Sequence, residues 1–335
     1  MPEYCFLTGA SGFVGANLAP MLARSWRLRC LVRPGQELPE LAGVPHDRVE
    51  GTLADENALA AGLRGADVAV HLAALVSFRP EDRAAMFAVN AAATERLAAL
   101  ARAAGVRRLL HMSTISAVGY SDSPRQLDER APFNFGPLRI GYCDSKRTAE
   151  TAVLAEVARG LDAVIVNPPS MYGAGDRRKG EGSLLTALLR GRIGLSPPGG
   201  LCVADVADVC AGCLLALAHG RRGERYILGG ENLTGRELFA RIARIVGGTA
   251  PRRCPPRWLV RAAARALRLV ERVRGSRPPL TSEVLTLSAR YLWYSSQKAS
   301  DELGYRPGPV DAGIRAAAAA LDREPLAGTG ADERA

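Results

Sequence analysis

The sequence predicts an α/β fold, with a doubly wound parallel sheet and a smaller second domain. Three observations support this: a glycine-rich turn follows the first apolar run, apolar runs alternate with helical patterns up to residue 168, and glycine and proline cluster after it. Strands that alternate with helices form a parallel sheet, which binds ligands at the carboxyl ends of its strands. With 335 residues, 47% of them hydrophobic, the chain can fill one large domain or two interleaved ones.

The first strand and the first helix flank the glycine-rich turn. Residues 4–7 are an apolar run that predicts a buried strand, and residues 17–22 have helical spacing. In the turn TGASGFVG at 8–15, Gly9 allows the tight turn, Gly12 allows a pyrophosphate to approach, and Gly15 allows close helix packing. The N–H groups at the helix start would face the phosphates. This context predicts dinucleotide binding, whereas a glycine pattern alone could be structural.

The next elements continue the alternation. Further strands are predicted by the apolar runs Leu28–Val32, Val68–Leu72, Arg108–Met112 and Ala163–Asn167. The clearest helical patterns cover residues 83–104 and 142–158. We therefore expect ligands at the loops that follow Leu7 and these four strands.

The second half of the chain no longer shows the regular alternation of strands and helices. Residues 225–228 read as another strand, Thr234 is placed to cap a helix that runs through Val246, and residues 258–273 form a basic amphipathic helix. Its arginines along one side are Arg261, Arg265, Arg268 and Arg272. We predict a nucleotide-binding domain of Rossmann type from residues 1–168 and 203–230, a discontinuous C-terminal substrate domain from 169–202 and 231–323, and a disordered tail at 324–335.

Tyr142 and Lys146 are the second strong feature. They stand four residues apart on a predicted helix and therefore share one face. A phenol has a pKa near ~10, and a neighbouring ammonium lowers it, so Tyr142 could exchange a proton near neutral pH. Lys146 is one of only three lysines, at 146, 179 and 298, in a chain that otherwise uses arginine. The alternative is an incidental pair on an exposed helix.

These motifs together resemble the extended short-chain dehydrogenase/reductase superfamily, the NAD-dependent epimerase/dehydratase family. The pattern is Thr-Gly-x-x-Gly-x-x-Gly, then Ser-Thr-x-x-x-x-Gly at 113–119, then Tyr-x-x-x-Lys. The segments 167–176 and 203–209 also look like family segments. Residues 223–234, with 298–299 and 303–305, resemble the subgroup of dihydroflavonol reductase-like, 3β-hydroxysteroid dehydrogenase-like and hopanoid-associated sugar epimerase proteins.

The resemblance implies roles for particular residues. Thr114 would polarise the substrate oxygen, Tyr142 would be the acid/base, Lys146 would bind the nicotinamide ribose and tune Tyr142, and Asn90 would support the site. The implied cofactor contacts are Gly9, Ser11, Gly12, Phe13, Val14, Gly15, Arg33, Thr52, Leu53, Leu72, Ala73, Ala74, Lys146, Asn167, Pro168 and Ser170. The expected substrate contacts are Val76, Phe78, Thr114, Phe135, Tyr142, Met171 and Tyr172, with Leu75, Phe133 and Leu138 nearby.

Two departures from the family pattern concern the cofactor. Relatives often carry Gly-Asp after the third strand, but this chain has Gly51-Thr52, and Asp55 is expected to be a helix cap instead. At the end of the second strand, Arg33 stands where an acidic residue would bind a ribose 2′-hydroxyl. A guanidinium pairs well with a 2′-phosphate, so we predict NADP(H) over NAD(H). A merely solvated Arg33 would leave no preference.

Three functions are compatible with these residues. The first is an NADP(H)-dependent oxidoreductase acting on a hydroxyl or ketone of a mostly apolar sterol, polycyclic or aromatic substrate. The second is a nucleotide-sugar epimerase or dehydratase with transient oxidation, in which Arg177, Arg178 or Arg192 could hold a diphosphate. The third is a non-catalytic NADP sensor, against which the intact Thr114, Tyr142 and Lys146 argue.

The remaining signals are weaker. The net charge of +10 fits an arginine-rich solvated surface better than nucleic-acid binding, and membrane contact by residues 252–277 is the less favoured interpretation of that segment. Cys210-x-x-Cys213 and the dispersed histidines suggest no metal site. Three features suggest a cytoplasmic protein without a signal peptide. The spacing of the cysteines does not indicate disulfide pairs, no apolar run is long enough to span a bilayer, and a strand begins at the very start of the sequence. The resemblance implies a homodimer through helices near 83–104 and 142–158.

Overall fold

The computed structural model describes residues 3–175, 184–274 and 280–321. Its strands are β1 (Tyr4–Thr8), β2 (Arg27–Val32), β3 (His46–Glu50), β4 (Val68–His71), β5 (Arg108–Met112), β6 (Ala163–Asn167), β7 (Ser170–Tyr172), β8 (Gly200–Asp205), β9 (Arg225–Ile227), β10 (Glu231–Thr234) and β11 (Tyr291–Leu292). The longer helices are α1 (Phe13–Leu22), α2 (Glu56–Leu63), α3 (Arg83–Met86), α4 (Ala93–Ala103), α5 (Gly141–Ala158), α6 (Leu184–Leu189), α7 (Val206–His219), α8 (Gly235–Val246), α9 (Arg257–Arg274), α10 (Ser282–Ser288), α11 (Gln297–Leu303) and α12 (Asp311–Leu321).

The large sheet is parallel and doubly wound, as predicted. Seven strands lie in the order β3-β2-β1-β4-β5-β6-β9. The sequence-predicted strands form within one residue of their expected bounds. Strand β3 was not among the predicted apolar runs because it is an edge strand, and its exposed and half-buried residues HDRVE need no continuous apolar side. The fold class is therefore confirmed.

Alternate residues of β1 point to opposite faces of the large sheet. Cys5 and Leu7 join a buried cluster that includes α1 and α7, whereas Phe6 joins a cluster that includes α2, α4 and α5. Both faces of the sheet are thus covered by helices, which explains why its central strands are apolar throughout.

The predicted helix over 83–104 is interrupted. It consists of α3, a π-helical turn over Phe87–Ala92, and α4. Such turns insert an extra residue and often occur at functional sites. Here the widened turn contains Asn90, one of the predicted site residues.

A smaller sheet lies beyond the large one. Strand β8 pairs with β7, β10 and β11, and helices α6, α8 and α12 share a buried cluster with it. Segment 203–230 therefore contributes β9 to the large sheet, while residues 203–205 belong to β8 of the small sheet. The division of the chain into two domains stays a prediction, and the tail at 324–335 lies outside the described residues.

The C-terminal helices follow the sequence signals. The Thr234 hydroxyl accepts the Glu237 N–H at 3.2 Å, and the Glu237 carboxylate accepts the Thr234 N–H at 2.7 Å, so a capping box begins α8. Helix α9 covers the predicted basic segment. Within the described parts of the chain, we find no helix with both the length and the apolar character needed to cross a bilayer.

Candidate active site

The glycine turn packs against the loop that follows β4. The backbone of Gly9 has a φ of +79°, and a Cβ atom there would lie 2.6 Å from the backbone nitrogen of Ala73. A Cβ atom at Gly15 would lie 2.1 Å from the Gly9 carbonyl oxygen. Both positions therefore require glycine, the first for its conformation as well as its size.

Helix α1 begins at this turn without a side-chain cap. Its N-cap is Gly12, whose N–H donates to the Gly9 carbonyl at 3.0 Å. Ser11, Phe13 and Val14 beside it are half-buried. An uncapped helix start presents backbone N–H groups that suit a phosphate. The turn therefore fits the pyrophosphate of a dinucleotide, flanked by Leu72, Ala73 and Ala74, which are also half-buried.

Tyr142 and Lys146 lie on α5, one turn apart, as their spacing predicted. Lys146 is only 2% exposed, and its Nζ donates to the carbonyl of Met112 at 2.7 Å. Burial lowers the pKa of Lys146 to about 8, while the Glu150 carboxylate acts in the opposite direction. Tyr142 is half-buried and meets the ring of Phe78 edge-on, with 5.6 Å between ring centroids. The lysine ammonium is thus fixed on the same helix face as the phenol.

Thr114 is the second residue after β5 and is held from two sides. Its Oγ1 accepts the N–H of Ser116 at 3.2 Å, and its carbonyl accepts Nδ2 of Asn167 at 2.8 Å. The first bond uses an oxygen lone pair, so the hydroxyl hydrogen can still donate to another oxygen.

Asn167, the last residue of β6, is held by hydrogen bonds inside the protein. Its Nδ2 donates to the Glu150 carboxylate at 2.6 Å as well as to Thr114. Both amide hydrogens therefore have protein acceptors, and the side chain is fully buried. Its Oδ1 is buried without a hydrogen-bond partner among the described residues, and the expected cofactor contact of Asn167 stays a prediction. Pro168 after it is buried, and Ser170 is exposed.

Glu150 lies outside the motifs that the sequence indicated. Its side chain is 1% exposed and also accepts hydrogen bonds from Arg225 at 3.2 Å and Arg147 at 3.3 Å. It stands four residues after Lys146, at the same helical spacing that singled out Tyr142. That spacing could have identified it.

Asn90 joins the loop after β4 to helix α5. Its Oδ1 accepts the Leu75 N–H at 2.7 Å, and its Nδ2 donates to the Leu75 carbonyl at 2.9 Å and to Ser145 Oγ at 3.0 Å. Asn90 is itself 1% exposed. These bonds position the backbone of Leu75 and the Ser145 hydroxyl, and the supporting role of Asn90 in the site stays a prediction.

A buried chain of hydrogen bonds continues from Asn90 to the glycine turn. The Asn90 carbonyl accepts from Thr94 at 2.6 Å, Thr94 bonds His71 at 2.9 Å, and His71 bonds Thr8 at 2.7 Å. Burial, and to a lesser degree the charge of Lys146, lowers the pKa of His71 to about 3, so His71 is neutral. No sequence signal indicated this series of hydrogen bonds, because its residues come from four different elements.

Arg33 lies at the carboxyl end of β2, the position at which a residue that binds the ribose 2′-phosphate is expected. It is exposed, and its Nε donates to Gln36 Oε1 at 3.0 Å. Nearby, Arg48 donates to the Gln36 carbonyl at 2.7 Å. After β3, Thr52 is exposed and Leu53 is half-buried.

Asp55 is a helix cap, as predicted. Its side chain accepts the Ala58 N–H at 3.0 Å at the start of α2. The Asp55 carboxylate is therefore hydrogen-bonded at the start of α2. It does not take the place of the aspartate that relatives often carry after the third strand.

The expected substrate residues separate into two groups. Phe78 and Met171 are half-buried and Val76 is 44% exposed, so these three can meet a ligand. Phe135 and Tyr172 are buried: Phe135 is 0% exposed and packs between Tyr120 and Phe133, and Tyr172 is 4% exposed in the core of the smaller sheet, so their substrate contacts stay predictions. Phe133 and Leu138 border the same core as Phe135.

The weaker signals have structural explanations. Cys210 and Cys213 are buried core residues of α7, and burial raises the pKa of the Cys210 thiol to about 12. Arg192 is exposed, while Arg177 and Arg178 lie outside the described residues.

The comparisons with known proteins bear on this site as a whole. A family model, that of the NAD dependent epimerase/dehydratase family, matches residues 5–229. The chain belongs to this family. The matched segment contains the glycine turn, Thr114, Tyr142 and Lys146.

Family members similar to this chain include reductases and sterol-related proteins. A Synechocystis protein provisionally named dihydroflavonol 4-reductase is 34% identical over 310 residues, 91% of this chain and 90% of that protein. Sterol demethylase protein B of Methylococcus capsulatus is 35% identical over 256 residues, 76% of this chain and 78% of that protein. The crystal structure of gox2253 superposes with a TM-score of 0.85 at 32% identity, covering 96% of this chain and 98% of that one.

Family membership and these names identify the protein as an NAD(P)-dependent oxidoreductase of the extended short-chain dehydrogenase/reductase type. The resemblance stated from the sequence motifs is thereby confirmed. The individual roles of the site residues, the coenzyme preference and the substrate remain proposals.

Proposed function

We propose that this protein is an NADP(H)-dependent oxidoreductase that acts on a hydroxyl or ketone of a mostly apolar substrate, such as a sterol, a polycycle or an aromatic ring. The observation that carries the proposal is that Lys146, one helical turn from Tyr142, donates to the carbonyl of Met112 at the end of β5, two residues before Thr114. Phe78 meets the ring of Tyr142 edge-on and supplies apolar surface beside it.

Each residue has a role that follows from its position. The nicotinamide, when bound, supplies or accepts the hydride. Tyr142 donates a proton to the substrate oxygen in reduction, and removes it in oxidation. Thr114 donates a hydrogen bond to the same oxygen. Lys146, held by Met112, stabilises the phenolate form of Tyr142 through its positive charge.

The proposed substrate class rests on two observations. Val76 and Phe78 offer apolar surface on the loop after β4, and Met171 offers it on β7. The name of one relative, sterol demethylase protein B, places a family member in sterol chemistry. A sugar diphosphate would instead need cationic groups, and the described candidate, Arg192, is exposed on a different segment.

The proposed preference for NADP(H) rests on Arg33. The guanidinium is exposed at the end of β2 and uses only Nε for its bond to Gln36 among the contacts of the described residues. Its two terminal nitrogens can therefore bind a 2′-phosphate bidentately.

The test is a turnover assay with purified protein. NADPH absorbance is followed with steroid ketones, aromatic ketones and aldehydes, and the series is repeated with NADH. Stoichiometric loss of NADPH with one apolar carbonyl class is the expected result. Conversion of a nucleotide sugar without net cofactor change would contradict the proposal and favour an epimerase, and cofactor binding without any turnover would favour a sensor.

We also propose that the protein is a homodimer through the helices over 83–104 and 142–158. Helix α5 presents an exposed leucine, Leu154, next to exposed Thr151. Light scattering of the purified protein would measure its mass directly, and a monomer would contradict this proposal.

A further inference from the structure

Helix α9 is amphipathic in an unusual orientation, with its apolar side facing outward. Trp258 is 69% exposed, Leu269 63% and Val273 76%. Other apolar side chains on the same side of the helix are also exposed, namely Leu259, Ala262, Ala263, Ala266 and Val270. Monomeric proteins rarely leave such a continuous apolar stripe uncovered, so it marks an interaction surface.

The arginines of α9 explain this orientation, because several of them turn toward the protein. Arg257 and Arg261 both bind Asp122, and Arg257 also donates to the Ala289 carbonyl at 2.9 Å. Arg268 donates to the Leu138 carbonyl at 2.9 Å. The polar groups of the helix are thus used internally, and they fix the apolar side toward solvent.

The sequence of α9 and of the residues just before it is rich in positive charge. Residues 252–271 contain six arginines and a single acidic residue, Glu271, and two of these arginines, Arg257 and Arg261, pair with Asp122 of another segment. Glu271 is occupied, since its two carboxylate oxygens accept from the N–H and the hydroxyl of Ser282 at 2.8 and 2.5 Å. Arg265 is exposed at the edge of the apolar stripe, toward Arg261 and Arg268, and Arg252 and Arg253 are exposed just before α9.

We propose that the outward face of α9, from Trp258 to Val273, docks onto an anionic lipid bilayer. A helix with an apolar side flanked by arginines, and with a tryptophan at one end, has the features of helices that lie in the membrane interface. A second copy of the chain fits less well, because a two-fold interface on this face would bring equivalent arginines together.

The docked orientation would also place the bilayer near the active site. Arg268 binds the carbonyls of Leu138 and Arg139, which immediately precede helix α5 and Tyr142. An apolar substrate dissolved in lipid could then reach the site with little exposure to water. This last link rests on the proposed function, whereas the docking itself does not.

Vesicle flotation of the full-length protein tests the proposal. Vesicles contain either equal amounts of phosphatidylglycerol and phosphatidylcholine or phosphatidylcholine alone. We expect the protein to float with the anionic vesicles, less with the neutral ones, and about tenfold less when Leu269→Ser removes one apolar contact. The matched control is Leu189→Ser, since Leu189 is an exposed leucine on α6 and is 45% exposed; it should float like the wild type.

Three outcomes would overturn the proposal. The first is a wild-type protein that stays unbound with anionic vesicles at low salt. The second is a Leu269→Ser protein that floats as well as the wild type, which would mean attraction by charge alone. The third is a wild-type protein that does not bind vesicles but forms a dimer, which Leu269→Ser converts to a monomer. That result would mean that α9 joins two copies of the chain.

Activity separates this proposal from the proposed function. Leu269→Ser lies outside the catalytic machinery, so its turnover of a water-soluble ketone and its melting temperature should match those of the wild type. Lost flotation with intact turnover supports docking, whereas flotation of a protein without reductase activity would contradict only the proposed function.

Discussion

The carboxylate of Glu150 and the side-chain amide of Asn167 are joined by a hydrogen bond of 2.6 Å inside the protein. The second hydrogen of the same amide donates to the carbonyl of Thr114 at 2.8 Å, so Asn167 connects Glu150 to Thr114. Glu150 also lies one helical turn from Lys146 and raises the pKa of that lysine. A buried acid thus positions one predicted catalytic residue and tunes the charge of another.

We predict that Glu150→Gln moves the alkaline limb of the activity profile to lower pH. The pKa of Lys146 is about 8, so its ammonium is present below that pH and disappears above it. Removing the Glu150 charge lowers this pKa further, and the ammonium is lost earlier. The measurement is kcat/KM against pH for both proteins.

Glu156→Gln is the matched control for this effect. Glu156 is also buried on α5, but it binds Arg102 and Arg159, away from Lys146. Its variant should lose stability without moving the limb. An unshifted profile in Glu150→Gln would limit Glu150 to a structural role.

Tyr142→Phe should lower kcat by about 10²- to 10⁴-fold, the usual contribution of a general acid or base. The apolar ring that meets Phe78 is retained, so NADPH binding should stay unchanged in a fluorescence titration. Tyr4→Phe, at the amino end of the sheet, should have wild-type turnover. Unchanged turnover in Tyr142→Phe would rule out the proposed chemistry.

Arg33→Ala should reduce the preference for NADPH over NADH. A hydrogen-bonded charged contact contributes about 1.5–3 kcal/mol, which corresponds to about a ten- to hundredfold change in the ratio of kcat/KM values. Arg24→Ala, an exposed arginine before the amino end of β2, should leave the ratio unchanged. If the wild-type protein has the same kcat/KM with NADPH as with NADH, Arg33 is only solvated.

The buried histidines predict a loss of stability in acid. Burial keeps the pKa of His71 at about 3 and that of His111 well below its usual value, whereas both are near ~6.5 in an unfolded chain. The unfolded state therefore binds protons that the folded state does not as pH falls below about 6.5 toward about 3. His71 should lower the free energy of unfolding by about 1.4 kcal/mol per pH unit in this window, and His111 acts in the same direction.

His111→Gln tests this prediction, because glutamine is neutral throughout the window. Denaturant unfolding at several pH values should show a shallower acid dependence for this variant than for the wild type. His219→Gln, at an exposed position of α7, should keep the wild-type dependence. If both variants have the same slope, His111 is not a source of the acid sensitivity.

The sequence by itself determined the features that depend on local spacing. The glycine turn, the alternation of strands and helices, the Thr234 cap and the Tyr142–Lys146 pair each follow from residues within a few positions of one another. Such patterns record the period of a helix or a strand, so they can be recognised without knowing the fold.

Only the tertiary structure decided the contacts between distant segments. Asn90 and Leu75 are 15 residues apart, and Thr114 and Asn167 are 53 apart. Their hydrogen bonds form because parallel strands end at one edge of the sheet, which the chain order alone does not specify. Likewise, periodicity separates the two sides of α9, but only packing against Asp122 and Leu138 decides that its apolar side faces outward.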